Sequence, residues 1–158
     1  MNASRLQKEL KQTRPFPSLA AEASVALLKT ADLVRRSVEQ AVAKEAITAQ
    51  QYNVLRILRG AGDAGIPTLD IIDRLIERTP GITRLLDRLE AKELVRRERC
   101  PTDRRQVLCW ITPAGLDTLA RLDAPMAAVE KSAVGRLTKK ELETLIQLLE
   151  RVRDGHPE

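Results

Sequence analysis

Arginine supplies most of the chemistry that this 158-residue chain can offer. Arg96, Arg97, Arg99, Arg104 and Arg105 crowd into one short window, with only Glu98 and Asp103 among them to oppose the charge. A guanidinium is always charged and presents five N–H donors in a rigid fork, which fits phosphate oxygens and the O6/N7 edge of guanine. Upstream, Thr83, Arg84, Asp87 and Arg88 recur at the three- and four-residue steps that share one face of a helix. From such a face Arg84 can donate two hydrogen bonds to guanine, and Thr83 can touch a thymine methyl or a phosphate. Thr79-Pro80-Gly81 reads as the start of that helix, where free backbone N–H groups and the positive dipole end suit a phosphate. Gly81 has no side chain to obstruct a close approach.

Other chemistries are thinly supplied. His156 is the single histidine, so His-based catalysis and most metal sites lack their ligand. Cys100 and Cys109 match neither a disulfide framework nor a zinc spacing. The chain carries no P-loop, dinucleotide fingerprint or zinc-protease motif. Its carboxylates are spread along helical faces beside arginines. No enzyme activity, cofactor or metal is expected. A formal net charge of +5 favours a polyanionic partner without requiring one. Hydrophobic residues make up 43% of the chain while Phe, Trp and Tyr occur once each, the usage of a helical protein with a real core. No run approaches the roughly 20 apolar residues of a membrane span. The charged start MNASRLQKELKQTRPFPS lacks the apolar region of a secretory signal. A cytoplasmic protein without membrane contact is expected.

The periodicity supplies elements able to hold the arginines in place. Pro15-Phe16-Pro17-Ser18 closes an N-terminal arm, 1–18, whose residues 1–13 are either a short helix or loose chain. From about Leu19 to Lys44, the apolar positions Leu27, Ala31, Val34, Val38 and Val42 recur at helical steps. Thr48 and Gln51 form a capping box, with Ile47 and Tyr52 as hydrophobic staple, opening a helix over Ala49–Arg59 that stops at Gly60-Ala61-Gly62. Gly65 and Pro67 complete a loop. Thr68 caps a short helix over Leu69–Glu77, and Thr79 with Pro80 opens a second over Pro80–Lys92. Ile82, Leu85, Leu86 and Leu89 form the apolar face of that second helix. Leu94–Cys100 and Arg105–Ile111 flank the turn-forming Pro101-Thr102-Asp103-Arg104 and read as a two-stranded hairpin. Thr112-Pro113 opens a helix to about Val134, kinked or broken at Pro125. Thr138 and Glu141 form another capping box, for a last helix lined by Leu142, Leu145, Ile146, Leu149 and Val152.

A tight helix pair followed at once by a basic hairpin is a winged helix-turn-helix, so the expected fold is mainly α with a small β-hairpin. The lobe spans 47–112. The segments 19–46 and 113–154 carry apolar stripes that so small a lobe cannot cover. Burying them against a second subunit gives an isologous homodimer through dimerisation helices. Such a dimer sets two recognition helices about one DNA turn apart. The whole is expected to form one continuous domain.

Strand alternation keeps the hairpin arginines from sharing one surface. Arg99, Arg104 and Arg105, at the tip, have the freest reach, and Asp103 is placed to hold the Arg105 guanidinium. The expected contact set for double-stranded DNA is thus Thr79, Pro80, Gly81, Thr83, Arg84, Arg88, Arg99, Asp103, Arg104 and Arg105. The same fold also serves as a protein-interaction module without sequence-specific DNA binding; the outward arginines argue for DNA. If Cys100 pairs near Arg105, Cys109 falls opposite Arg96, and the sulfurs lie about 13 Å apart, beyond bonding reach. Arg99 and Arg104 beside Cys100 would lower its thiol pKa, whereas Cys109 reads as buried.

The segments ITAQQYNVLRIL, TPGITRLLDRLEAKELVRR and PTDRRQVLCWITPAG carry a further signal, with Asp103-Arg104-Arg105 and Ile111-Thr112 its most specific pieces. From Thr48 to about Thr112 the chain resembles the winged helix-turn-helix of the MarR family, the multiple-antibiotic-resistance regulators of bacteria and archaea. Its outer helices fall where that family places its dimerisation helices. The resemblance implies a triangular homodimer that binds pseudo-palindromic operators, as a repressor relieved by a ligand or by oxidation. By that likeness Asp103 and Arg105 match wing positions that reach the minor groove, and Thr83 and Arg84 lie on the recognition helix. It also implies a pocket for a small-molecule effector, usually aromatic or phenolic, between the dimerisation helices and the lobe. Tyr52, Arg56 and Trp110 are the candidates here, and each has an ordinary structural reading too. Where the family pattern has Gly after the recognition helix, for a left-handed turn, this chain has Glu93, at a cost of about 1 kcal/mol.

Overall fold

Capping side chains, glycines and prolines mark the element boundaries in the computed structural model, which describes residues 4–77, 81–103 and 105–155. The chain divides into two compact units, one up to Ser37 and one from Val38.

In the first unit, Ser4 accepts a hydrogen bond from the Gln7 N–H at 3.2 Å and starts a short helix, α1 (Arg5–Glu9). The arm therefore contains a helix. Ser18 caps the next one by accepting from the Ala21 N–H at 3.1 Å. That helix, α2 (Leu19–Val42), carries Asp32 between Arg35 and Arg36 at 2.6 and 2.8 Å. Leu19, Leu28 and Leu33 on α2 are exposed.

The second unit takes up the end of α2, where Ala41 and Val42 are buried. A single 3-10 turn, Ala43–Glu45, leads to the capping box at Thr48 and Gln51, with both expected hydrogen bonds present. The helix it opens, α3 (Ala49–Ala61), runs two residues past Arg59 to a C-cap at Gly62. After a 3-10 turn, Gly62–Ala64, comes a strand the sequence did not announce, β1 (Ile66–Pro67). Two residues are too few to show a period, but Ile66 is buried, and Pro67 lies on a sheet edge, where a missing N–H is tolerated.

The next helix, α4 (Thr68–Arg74), departs from expectation at both ends. Thr68 does not cap it: its hydroxyl donates to the Val107 carbonyl at 3.2 Å, and Pro67 takes the cap position without a side-chain bond. The helix stops at Arg74 rather than Glu77, because Leu75 is extended and the Ile76 N–H is taken by Asn53 Oδ1 at 3.0 Å. The next helix, α5 (Ile82–Ala91), starts two residues later than Pro80, after Gly81. Thr79 and Pro80 lie outside the described residues. Glu93 is left-handed at φ 58°, as its place after α5 predicted.

Two longer strands follow, β2 (Val95–Arg99) and β3 (Val107–Ile111). The sheet is antiparallel, in the order β1-β3-β2. Its register differs by one residue from the expected pairing: Cys109 faces Arg97, not Arg96. Asp103 sets the difference. Its carbonyl accepts the Gln106 N–H at 3.0 Å and its carboxylate accepts the Arg105 N–H at 3.0 Å, so Arg105 belongs to the turn and not to the strand. A slip of one residue exchanges the faces of a strand.

Thr112 caps α6 (Pro113–Val134), accepting from the Gly115 N–H at 3.1 Å, with Pro113 in the first turn. The helix runs through Pro125 unbroken. Thr138 and Glu141 form the expected capping box of α7 (Lys139–Asp154). The core joins α3, α4, α5, the sheet and α6 through Leu55, Leu58, Ile71, Leu86, Leu89, Val95 and Leu119. Each such side chain contributes about 1.5–3 kcal/mol by leaving water. Among the described residues no helix is long and apolar enough to cross a membrane.

Candidate nucleic-acid interface

The apolar face of α5 fixes the opposite one. Ile82, Leu85, Leu86 and Leu89 are buried, and Thr83, Arg84, Asp87 and Arg88 all stand exposed, as their spacing predicted. At φ 106°, Gly81 holds the chain in a region closed to most side chains just where the helix begins. A Cβ there would meet nothing within 4 Å, so the demand on this position is conformational.

The hairpin sorts its arginines by strand alternation. The Arg96 guanidinium sits 4.2 Å from the centroid of the Trp110 ring, and Arg96 also pairs with Glu98. Arg97, only 20% exposed, turns the other way. Its Nη2 donates to Asp87 Oδ1 at 2.6 Å and its Nε to Glu90 Oε2 at 3.1 Å. The hydrogen-bonded Glu90 carboxylate, with Asp87 beside it, holds the guanidinium above its usual range against the opposing effect of burial. Arg96 and Arg97 are therefore committed within the lobe. Arg99 and Arg105 remain exposed towards the tip, and Arg104 lies outside the described residues.

Asp103 acts differently from the expectation. It holds the main-chain N–H of Arg105, not its guanidinium. An aspartate reaches the amide two residues on with little loss of freedom, which makes this the local bond of choice in a turn. The wing tip is thereby shaped while the Arg105 side chain points out.

The two thiols have opposite environments. Cys100 is half-buried, and its thiol is pulled below its usual range chiefly by the Thr102 hydroxyl, 3.2 Å away, not by Arg99; Arg104 lies outside the described residues. Cys109 is buried, and burial pushes its thiol up. Both are free thiols.

Of the three effector candidates, Tyr52 and Arg56 come together and Trp110 stands apart. Tyr52 is buried in the core with the Arg56 guanidinium 5.9 Å from its ring centroid. Trp110 instead walls a cavity of about 260 Å³ with Arg59, Gly62, Asp63, Arg96 and Leu116, which neither Tyr52 nor Arg56 lines. The indole N–H donates to the Asp63 carbonyl at 3.1 Å. Sequence reasoning did not single out Arg59, Asp63 or Arg96 for this cavity. The alternation that parts Arg96 from Arg97 was the available signal.

Comparison with known proteins agrees with this arrangement. The model of the MarR family matches residues 47–107. The transcriptional regulator HosA of Escherichia coli O111:H- is 31% identical over 109 residues, 69% of this chain and 79% of that protein. A MarR transcription factor from Planctomyces limnophilus superposes with a TM-score of 0.67 at 41% identity, covering 85% of this chain and 98% of that one. A mutant MarR from E. coli complexed with operator DNA superposes with a TM-score of 0.75 at 26% identity, covering 94% and 99%. A lobe of this topology, with these relatives across most of its length, identifies the chain as a member of the MarR family of winged-helix, DNA-binding transcriptional regulators.

Proposed function

We propose that this protein is a cytoplasmic homodimer that reads a pseudo-palindromic operator as a repressor, with its DNA affinity relieved by a small ligand. The observation that carries the reading is the joint exposure of Thr83, Arg84 and Arg88 on α5 and of Arg99 and Arg105 on the wing. In this reading α5 enters the major groove, and Arg84 donates to a guanine edge. The N-terminal end of α5 at Gly81, together with Thr79 and Pro80 before it in sequence, receives a phosphate in this reading. The wing, carrying Arg99, Arg104 and Arg105, with Asp103 holding the Arg105 main chain, tracks the neighbouring minor groove. The operator-bound E. coli relative supports the assignment of DNA as partner.

Support for the homodimer comes from apolar side chains left in water. Ile146, Leu148 and Val152 on α7 are each about half exposed, and Leu28 and Leu33 on α2 are exposed as well. A second subunit covering these faces removes that surface from water. Support for a ligand is family membership, and the Trp110 cavity of about 260 Å³ is the candidate place for part of a small compound.

The test is selection of random duplex fragments by the purified protein at physiological salt, followed by sequencing. The reading expects an enriched inverted repeat with half-sites about ten base pairs apart. Weak binding without enrichment would favour the alternative of a winged-helix protein-interaction module.

A further inference from the structure

The recognition helix and the wing are separate elements, and a duplex sees both at once. Beyond the shared core, one side chain ties them together near the surface. Arg97 on β2 reaches back to α5 and engages two of its carboxylates, Asp87 and Glu90, which stand one helical turn apart. Asp87 sits on the same exposed face as Arg84 and Arg88, and its carboxylate is 54% exposed. A bare carboxylate there would repel the phosphates that the arginines attract. With Arg97 counted in, this patch carries three guanidinium groups (Arg84, Arg88, Arg97) against two carboxylates (Asp87, Glu90). Without it the patch is neutral.

We propose that Arg97 is a positioning residue of the DNA interface, which ties α5 to the wing and neutralises the Asp87 carboxylate on the face that Arg84 and Arg88 present. The inference rests on the DNA-reading function proposed above. Three features of the site support it. Arg97 is mostly buried, so its guanidinium is spent on the protein and not offered to a duplex. The residue facing it across the sheet is Cys109, a buried thiol held neutral by its surroundings, so Asp87 and Glu90 are the charges Arg97 serves. The planar fork of arginine reaches both acceptors in a fixed geometry, which the single ammonium of lysine does not.

The experiment measures operator and scrambled-duplex affinity by filter binding for the wild type, Arg97→Gln, Asp87→Asn and the double variant, with folding checked by circular dichroism. Arg97→Gln is expected to weaken operator binding at least tenfold and the scrambled duplex less, so that discrimination shrinks. Asp87→Asn alone is expected to stay within threefold of wild type. Added to Arg97→Gln, it should recover at least threefold, because the exposed carboxylate is gone. A folded Arg97→Gln variant with wild-type affinity, or a double variant no better than Arg97→Gln, overturns the proposal and leaves the DNA-reading function standing. If Arg97→Gln does not fold, Arg97→Met replaces it in the same comparison: the methionine keeps an unbranched side chain and loses the charge, and the same threefold recovery by Asp87→Asn is required. A wild type without preference for any duplex sinks the DNA-reading function and this proposal together.

Discussion

Gly65 and Trp110 are in closer contact than any other amino acid at position 65 would permit: a Cβ there would lie 2.4 Å from the indole Cε2. Gly65 also has a φ of 69°, which a side chain disfavours on its own account. Together with the bond from the indole to the Asp63 carbonyl, this seats β3 on the loop after α3. Gly65→Ala is expected to destabilise the protein by about 2–4 kcal/mol, combining the left-handed penalty with overpacking. Urea denaturation followed by circular dichroism measures it, and an unchanged midpoint would refute the contact.

Glu93 is the mirror case, a side chain where glycine fits better. Its φ is 58°, its N–H is held by the Glu90 carbonyl at 2.8 Å, and its own carbonyl accepts the Thr112 hydroxyl at 2.6 Å. These main-chain bonds survive Glu93→Gly, which should raise stability by about 0.5–1 kcal/mol through relief of the left-handed strain. Differential scanning calorimetry should show a higher melting temperature. A lower one would mean that the Glu93 side chain contributes something the backbone geometry leaves out.

In the proposed reading the exposed arginines of α5 and the wing divide by type. Arg84→Ala should cost about 1–3 kcal/mol of discrimination at one base pair of each half-site, with the rest of the preference kept. Arg105→Ala should weaken binding nearly uniformly across sequences and flatten the salt dependence by about one unit for each phosphate no longer neutralised. Both side chains are exposed, so neither variant should melt earlier than wild type. Normal operator affinity in both would remove α5 and the wing tip from the interface.

The thiols should separate cleanly with pH. Cys100 is depressed by its Thr102 hydrogen bond and Cys109 is raised by burial, so at any pH between their midpoints the thiolate fraction is larger at Cys100. Timed alkylation with iodoacetamide and peptide mass spectrometry should show Cys100 modified first in the folded protein. Thr102→Val should shift the Cys100 rate profile to higher pH. Equal labelling of both residues would contradict the burial of Cys109.

Helix faces and helix starts were legible because they are local. The 82/85/86/89 stripe, the boxes at Thr48 and Thr138, and the cap at Thr112 need only neighbours within one turn. What escaped was decided at a distance or by a single residue. Thr68 had the right chemistry for a cap, but a carbonyl 39 residues away captured its hydroxyl. The hairpin register turned on two bonds made by Asp103, and β1 is too short to carry a pattern. The exposed arginines of α5 followed from periodicity. That Arg97 is consumed by Asp87 and Glu90 requires knowing that β2 lies beside α5.

Trp110 is the single tryptophan of the chain, and it stands where the wing joins the lobe, touching Arg96, the Asp63 carbonyl and Gly65. Indole emission responds to polarity and to quenching by adjacent groups, so the protein carries an optical reporter at the base of its wing. A shift of the spectrum on adding a duplex would record movement of the wing base, and a shift on adding a small planar acid would record occupancy of the adjacent cavity. Neither signal needs a label, and Tyr52, buried inside α3, stays clear of both.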